Sequence, residues 1–281
     1  MWSIGIYTGD SPFQLRALEN HANPVLRNTD VTDVSAEFVA DPFMLRKNGR
    51  WYMFFEVLND ASCGKIAFAT SDDGLNWAYQ HIVLDEQFHL SYPYVFEWQG
   101  QYYMIPETLG AAAICLYKAE EFPTRWSLQR KLIEGQHADP SIFRFGDRWW
   151  MFTCTRPYQH DVLRLYFARD LEGPWKEHAR SPVITNDRHR ARPAGRILQM
   201  DGNVIRFAQD CAPDYGMQVR AFEIKELTRD TYVEVEHPSS PVLSPSGLGW
   251  NAKGMHHVDA HRQDDGKWIA CVDGRYGVHL C

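Results

Sequence analysis

One phrase recurs five times along this chain. Ala-Asp41-Pro42 leads into LRKNGRWYMFFE, Tyr92-Pro93 into FEWQGQYYMIPE, and Ala-Asp139-Pro140 into FRFGDRWWMFTC. Ala-Arg192-Pro193 leads into LQMDGNVIRFAQD, and His257-Val258-Asp259 into RQDDGKWIACVDG. Each copy is a polar residue, in four of the five beside a proline, then a short strand, a Gly-containing turn and an aromatic-rich strand. The starts at 41, 92, 139, 192 and about 259 are spaced by 51, 47, 53 and 67 residues. A period near 50 is the signature of a propeller or an array. A propeller would bring equivalent positions of every blade to one central axis.

The hairpin turns are legible. Asn48-Gly49, Gln99-Gly100, Gly146-Asp147, Asp201-Gly202 and Asp265-Gly266 supply the positive-φ residues of tight hairpins. Third strands follow as KIAFATS, ICLYKAE, LRLYFAR and QVRAFEI, and fourth strands start near Trp77, Trp126, Trp175 and Tyr232. The last repeat runs out of chain after its second strand, while IGIYTG at the N-terminus reads as a third strand. The sequence therefore predicts an all-β, five-bladed β-propeller of four-stranded antiparallel blades. It fills 1–281 as one domain, with 1–26 completing blade five and closing the ring.

Aromatics at 14% of residues suit sheets packed face to face. A net charge of -7 argues against a nucleic-acid partner. The apolar runs are strand-length, so no membrane span is expected. The N-terminus lacks a basic region ahead of an apolar one, so no signal peptide is expected and the expected location is cytoplasmic. Six cysteines without a C-x-x-C pair read as buried thiols.

In such a meander the first strand lines the central funnel. Asp41, Tyr92, Asp139, Arg192 and the group His256-His257-Val258-Asp259 head the repeats and should converge there. A second ring comes from the ends of the second strands: Glu56, Glu107, Thr153 or Cys154, Gln209-Asp210, and Asp273. The steps from 41 to 56 and from 92 to 107 are both 15 residues, and that from 259 to 273 is 14. Carboxylates closing apolar strands beside an arginine and histidines form a polar pocket whose pKa values are pushed apart. The plainer reading of each Asp-Pro is a turn-forming pair whose carboxylate caps backbone amides. Trp51, Trp149 and Trp150 read as inter-blade core; Tyr92, His137 and Tyr158 are the stacking candidates.

Three features resemble the five-bladed propeller glycosidases of glycoside hydrolase family 43 and its relatives. They are ADPF at 41 with ADPS at 139, the SDDGLNW and ARDLEGPW phrases, and GMHHVD at 254–259. FVADPFML, YMIPET and ARPAGR also resemble the propeller module found N-terminal in plant glucosamine inositolphosphorylceramide transferase and in bacterial relatives fused to sugar-modifying enzymes. The glycosidase resemblance implies Asp41 as the base that activates water and Asp139 as the tuning carboxylate. It also implies a glutamic acid at the head of blade four, where this chain has Arg192. Glu107 is the expected substitute proton donor, followed by Asp210. Loss of a donor costs an ordinary glycosidase about 10²–10⁴-fold.

Arg192 either binds a planar anion, such as an acidic sugar or a phosphate that would permit phosphorolysis, or forms an internal salt bridge with Asp139 or Asp41. Glu56, Tyr92, His137, Arg192, Asp210, His257 and Asp273 are expected to bind substrate. No cofactor or catalytic metal is required; the resemblance leaves room for a structural calcium ion on the axis, with His256 and His257 acting mostly through water. Two functional readings remain. One is a glycoside hydrolase-like enzyme acting on a carbohydrate or glycoconjugate. The other is a non-catalytic glycan-binding or scaffold propeller associated with a glycosyltransferase.

Overall fold

The computed structural model describes residues 1–277. Five antiparallel sheets form the blades of a closed ring. Blade one consists of Ala36–Lys47, Arg50–Asn59, Gly64–Ser71 and Ala78–Leu84. Blade two runs through Ser91–Trp98, Gln101–Glu107, Ala113–Glu121 and Arg125–Glu134. Blade three has Ala138–Phe145, Arg148–Cys154 and Val162–Ala168, with two short outer pieces at Lys176–Glu177 and Ile184–Thr185. In blade four the inner strand is broken into Arg192–Pro193 and Leu198–Met200, followed by Asn203–Asp210, Gln218–Leu227 and Tyr232–Glu236.

Blade five is assembled from both ends of the chain. Val258–Arg262 and Trp268–Arg275 supply its inner half, and Trp2–Gly9 and Arg16–Ala17 its outer half. Trp2 through Gly9 pair residue by residue with Arg275 through Trp268. This is the closure that the truncated fifth repeat demanded. It leaves no blade with an unpaired second strand.

The apolar core lies between blades rather than in one centre. One cluster joins blades one to three through Phe43, Phe54, Tyr94, Met104 and Trp149; others join three to four, four to five, and five to one. Trp51, Trp149 and Trp150 are buried, as core positions should be. Trp98 of blade two meets Trp149 of blade three edge to face at 5.0 Å, a geometry favoured by the ring quadrupoles. Five cysteines are free thiols, four of them buried. Cys281 lies outside the described residues.

Candidate functional site

The axial residues are positioned by one repeated backbone device. Asp41, Tyr92 and Asp139 have φ of 53°, 47° and 51°, each immediately before a proline. At each, the inner strand slips register against its neighbour, between Ala40 and Phe43, Ser91 and Tyr94, and Ala138 and Ser141. Such a bulge re-aims one side chain out of the pleat. Aspartate tolerates the left-handed region, but a tyrosine there is strained unless its surroundings hold it. Blade four departs from the pattern. There Gly195, at φ 126°, makes the turn, and a Cβ at this position would lie 1.9 Å from the Val258 carbonyl oxygen.

Around the bulges lies a charged cluster. Arg192 Nε donates to Asp139 Oδ2 at 2.6 Å, and Arg192 Nη2 to Glu107 Oε2 at 3.4 Å. Gln209 Nε2 donates to the same Asp139 oxygen at 2.9 Å, and Asp139 N–H to Glu107 Oε2 at 3.1 Å. Arg192 Nη1 reaches outward to the Pro157 carbonyl and to His160 Nδ1, both at 3.0 Å. Its guanidinium also lies 5.0 Å from the Tyr215 ring centroid. Of the two salt-bridge partners expected for Arg192, the structure selects Asp139, and it adds Glu107. Burial, with Asp139 nearby, pushes the Glu107 carboxyl up to about 8, against the pull of Arg192.

Asp41 occupies the other side of the cluster. Its Oδ1 is buried without a hydrogen-bond partner and lies 3.8 Å from Nδ1 of both His256 and His257. Burial and the charges of Asp139, Glu56 and Asp273 hold its carboxyl well above the usual carboxylate range. Asp273 is held below that range, despite burial, by His256 and His257. It accepts the N–H groups of Asp41, His256 and His257 and sits 2.7 Å from His256 Nδ1. Asp273 therefore caps the head of blade one as Glu107 caps the head of blade three. His256 stacks on Trp2 at 3.9 Å, and Tyr215 meets it edge-on at 5.2 Å. Chemically the cluster offers two carboxyls raised by burial, Asp41 and Glu107, and one guanidinium.

A second polar layer lies further along the inner strands. Arg196 Nε donates to Asp259 Oδ1 at 2.6 Å, and Arg196 Nη2 to the Val95 carbonyl at 2.9 Å. Met44 N–H and His261 both meet Asp259 Oδ2. One ion pair thus ties blades one, two, four and five. Between the layers Tyr92 is wholly buried; its hydroxyl accepts Gly195 N–H at 2.6 Å and lies 2.7 Å from Ser141 Oγ. These contacts hold its strained backbone. Tyr92 is a tie across the axis, not the stacking face expected from its position.

Two other expectations need correction. Asp210 points away from the cluster, bound by His189, Gln218 and Arg220, which hold its carboxyl low; such a group is a poor proton donor. Its neighbour Gln209 faces the axis instead, because adjacent strand residues point to opposite faces. His137 is buried edge-on against Tyr166, with Nε2 on the Glu134 carbonyl, so it offers no face to a ligand. Tyr158 is 80% exposed, on the loop that carries Pro157 and His160. Glu56 does line the cluster, 3.2 Å from His89 Nε2. Sequence reasoning did not single out Arg196, His160, Tyr215 or Trp2. The nearest signal was the second arginine of ARPAGR, which has no counterpart in the other repeats.

The chain matches, over residues 1–275, the family described as glucosamine inositolphosphorylceramide transferase 1, N-terminal. It belongs to that family. It is 34% identical over 298 residues to glucosamine inositolphosphorylceramide transferase 1 of Oryza sativa subsp. japonica, covering 97% of this chain and 40% of the relative. The Arabidopsis thaliana protein of the same name is 33% identical over 295 residues, covering 97% and 39%. The chain thus spans about two-fifths of these relatives.

Among solved structures, a putative glycosidase from Bacteroides thetaiotaomicron aligns with a TM-score of 0.67 at 13% identity, covering 94% of this chain and 97% of that one. The catalytic domain of a family 62 α-L-arabinofuranosidase from Coprinopsis cinerea gives 0.65 at 11%, covering 95% and 96%. RS223 β-xylosidase gives 0.62 at 15%, covering 82% of each. These glycosidases share the fold; at such identities they say nothing about activity.

Proposed function

We propose that this propeller recognises a glycoconjugate on behalf of a glycosyl-transferring enzyme, and that its axial acids do not hydrolyse glycosides. The observation that carries this reading is the ion pair of Arg192 with Asp139 and Glu107. Glycoside hydrolysis by paired carboxyls needs an ionised base on one side of the sugar and a protonated acid on the other. Here burial and neighbouring carboxylates push Asp41, the base position, away from the ionised form that a base needs, and the substitute acid Glu107 is engaged by Arg192 and the Asp139 N–H rather than open to a leaving group.

The relatives' printed name supports the ligand class, a sugar joined to an inositol phosphate headgroup. A phosphate would replace the Pro157 carbonyl at Arg192 Nη1, where a guanidinium offers planar, charge-assisted bonds. Tyr215 and the neutral acids would contact sugar faces and hydroxyls. No helix among the described residues is long and apolar enough to cross a membrane.

The test pairs two assays. Purified protein is assayed on aryl furanosides, pyranosides and uronides, with and without phosphate, and titrated calorimetrically with a glucosamine–inositol phosphate headgroup. The expected result is no turnover and saturable binding that Arg192→Lys weakens. Turnover that disappears in Asp41→Asn would restore the hydrolase reading, and phosphate-dependent turnover would point to phosphorolysis.

A further inference from the structure

Arg192 has no donor to spare for a ligand. An arginine carries five N–H bonds, and all five of Arg192 are engaged. Nε donates to Asp139 Oδ2 at 2.6 Å, and Nη2 to Asp139 Oδ1 and Glu107 Oε2, each at 3.4 Å. Both bonds of Nη1 go to one loop, residues 155–161, between the second and third strands of blade three. One meets the Pro157 carbonyl and the other His160 Nδ1, each at 3.0 Å. An arginine only donates, so this imidazole nitrogen accepts and the ring is neutral. Whatever binds Arg192 must displace one of these partners.

The two sets of partners are held differently. Asp139 and Glu107 are buried on regular strands, fixed by Gln209 and by the Asp139 N–H. The loop is held more lightly. Its base is the bond from Thr155 N–H to the Val162 carbonyl, and its turn is closed by the N–H groups of Gln159 and His160 on the Arg156 carbonyl. Arg156 meets Asp161 at 3.3 Å in an exposed ion pair of a kind worth little. His160 sits at φ 59°, a left-handed conformation that costs most side chains energy. The loop nonetheless roofs the cluster: the His160 ring lies 5.0 Å from Tyr215, whose own ring covers the guanidinium.

The chemistry of the two lightly held acceptors dictates what can replace them. Both are uncharged, and a sugar hydroxyl is no better an acceptor than either. A phosphate brings full negative charge and enough oxygens to take both Nη1 bonds.

We propose that the 155–161 loop is an autoinhibitory latch on Arg192, released by an anionic group of the ligand and not by a neutral glycan, with the ligand class taken from the function proposed above. Pro157 and His160 then set the selectivity for anionic over neutral glycans. The latch lowers apparent affinity by the fraction of molecules in which it stands open.

The test follows loop and ligand separately in the intact chain. Opening is read by hydrogen exchange of the segment 155–162. Binding is read by calorimetry with the glucosamine–inositol phosphate headgroup, the same headgroup lacking phosphate, and inorganic phosphate. Saturation with the phosphorylated headgroup should speed exchange in this segment, and the neutral one should not. His160→Gly removes the acceptor and relieves the left-handed strain, so it should speed exchange without ligand and tighten headgroup binding about 3–10-fold. His160→Asn tolerates the same backbone and keeps an acceptor, so it should stay close to the unmutated chain. Headgroup binding that leaves exchange unchanged, and is no tighter in folded His160→Gly, would overturn the latch while leaving the recognition reading intact. Equal release by the neutral headgroup would overturn the anion requirement. No headgroup binding by either the unmutated chain or His160→Gly would overturn the recognition reading itself, whereas binding by His160→Gly alone would support the latch. Release by inorganic phosphate would identify the anion as sufficient, and release by the phosphorylated headgroup only would show that the sugar must dock as well.

Discussion

The propeller axis carries two polar layers built from the same residue types, and they have been completed to different degrees. In the Arg196–Asp259 layer each charge is met: Asp259 takes the guanidinium, a backbone N–H and His261, and Arg196 Nη2 also donates to the Met44 and Val95 carbonyls. Its carboxyl is accordingly held far below the usual range. In the Asp41–Arg192 layer the guanidinium meets, of the acids, only Asp139 and Glu107, and Asp41 Oδ1 and both ring nitrogens of His257 are buried without hydrogen-bond partners. The first layer is finished by the fold. The second is left open by the fold and, in the function proposed here, is completed by a ligand.

That contrast can be broken by mutation. The largest effect should come from the closed layer. Arg196→Leu leaves Asp259 buried opposite an apolar side chain and should cost about 3–5 kcal/mol in urea denaturation. A loss under 1 kcal/mol would mean that the pair is a bystander. In the open layer Arg192→Met should cost less, about 1–3 kcal/mol, because Gln209 Nε2 still donates to Asp139 and Glu107, raised to about 8, already favours its neutral form. Equal losses in the two variants would erase the distinction between the layers.

The pH dependence sharpens it further. The Glu107 carboxyl titrates near 4.5 in the unfolded chain and at about 8 in the folded one. Between those values the folded state binds the extra proton, so this group's stabilisation is complete below 4.5 and is lost as pH rises toward about 8. Glu107→Gln should flatten stability across that window, as measured by urea midpoints at stepped pH. An unchanged slope would place the proton elsewhere, with Asp41 the next group to examine. The smallest effect belongs to Asp210→Asn, which should leave headgroup binding unchanged because the carboxylate faces His189, Gln218 and Arg220.

The ring was legible in the sequence because its causes are local. Turn glycines, alternating aromatics and a truncated last repeat fix the blade count and force the closure by Trp2–Gly9. The convergence of Asp41, Glu56, Glu107, Asp139 and Arg192 was legible too, since equivalent positions in equivalent blades must meet at the axis. What failed was side-chain direction within a residue pair. Asp210 and Gln209 are adjacent, and only strand phase decides which one turns inward. Tyr92 failed for a related reason: its bulge matches those of the aspartates, but its hydroxyl finds Gly195 across the axis. Arg196, His160 and Tyr215 lie in the irregular parts of blades three and four, where no repeat partner announces them.

The most direct test of the account is calorimetric titration of the glucosamine–inositol phosphate headgroup into three proteins: the unmutated chain, Asp210→Asn and Arg192→Lys. The account predicts saturable binding of equal strength in the first two and markedly weaker binding in the third. Equal binding by all three would remove Arg192 from recognition, and no binding by any would leave the open layer without the glycan role proposed for it.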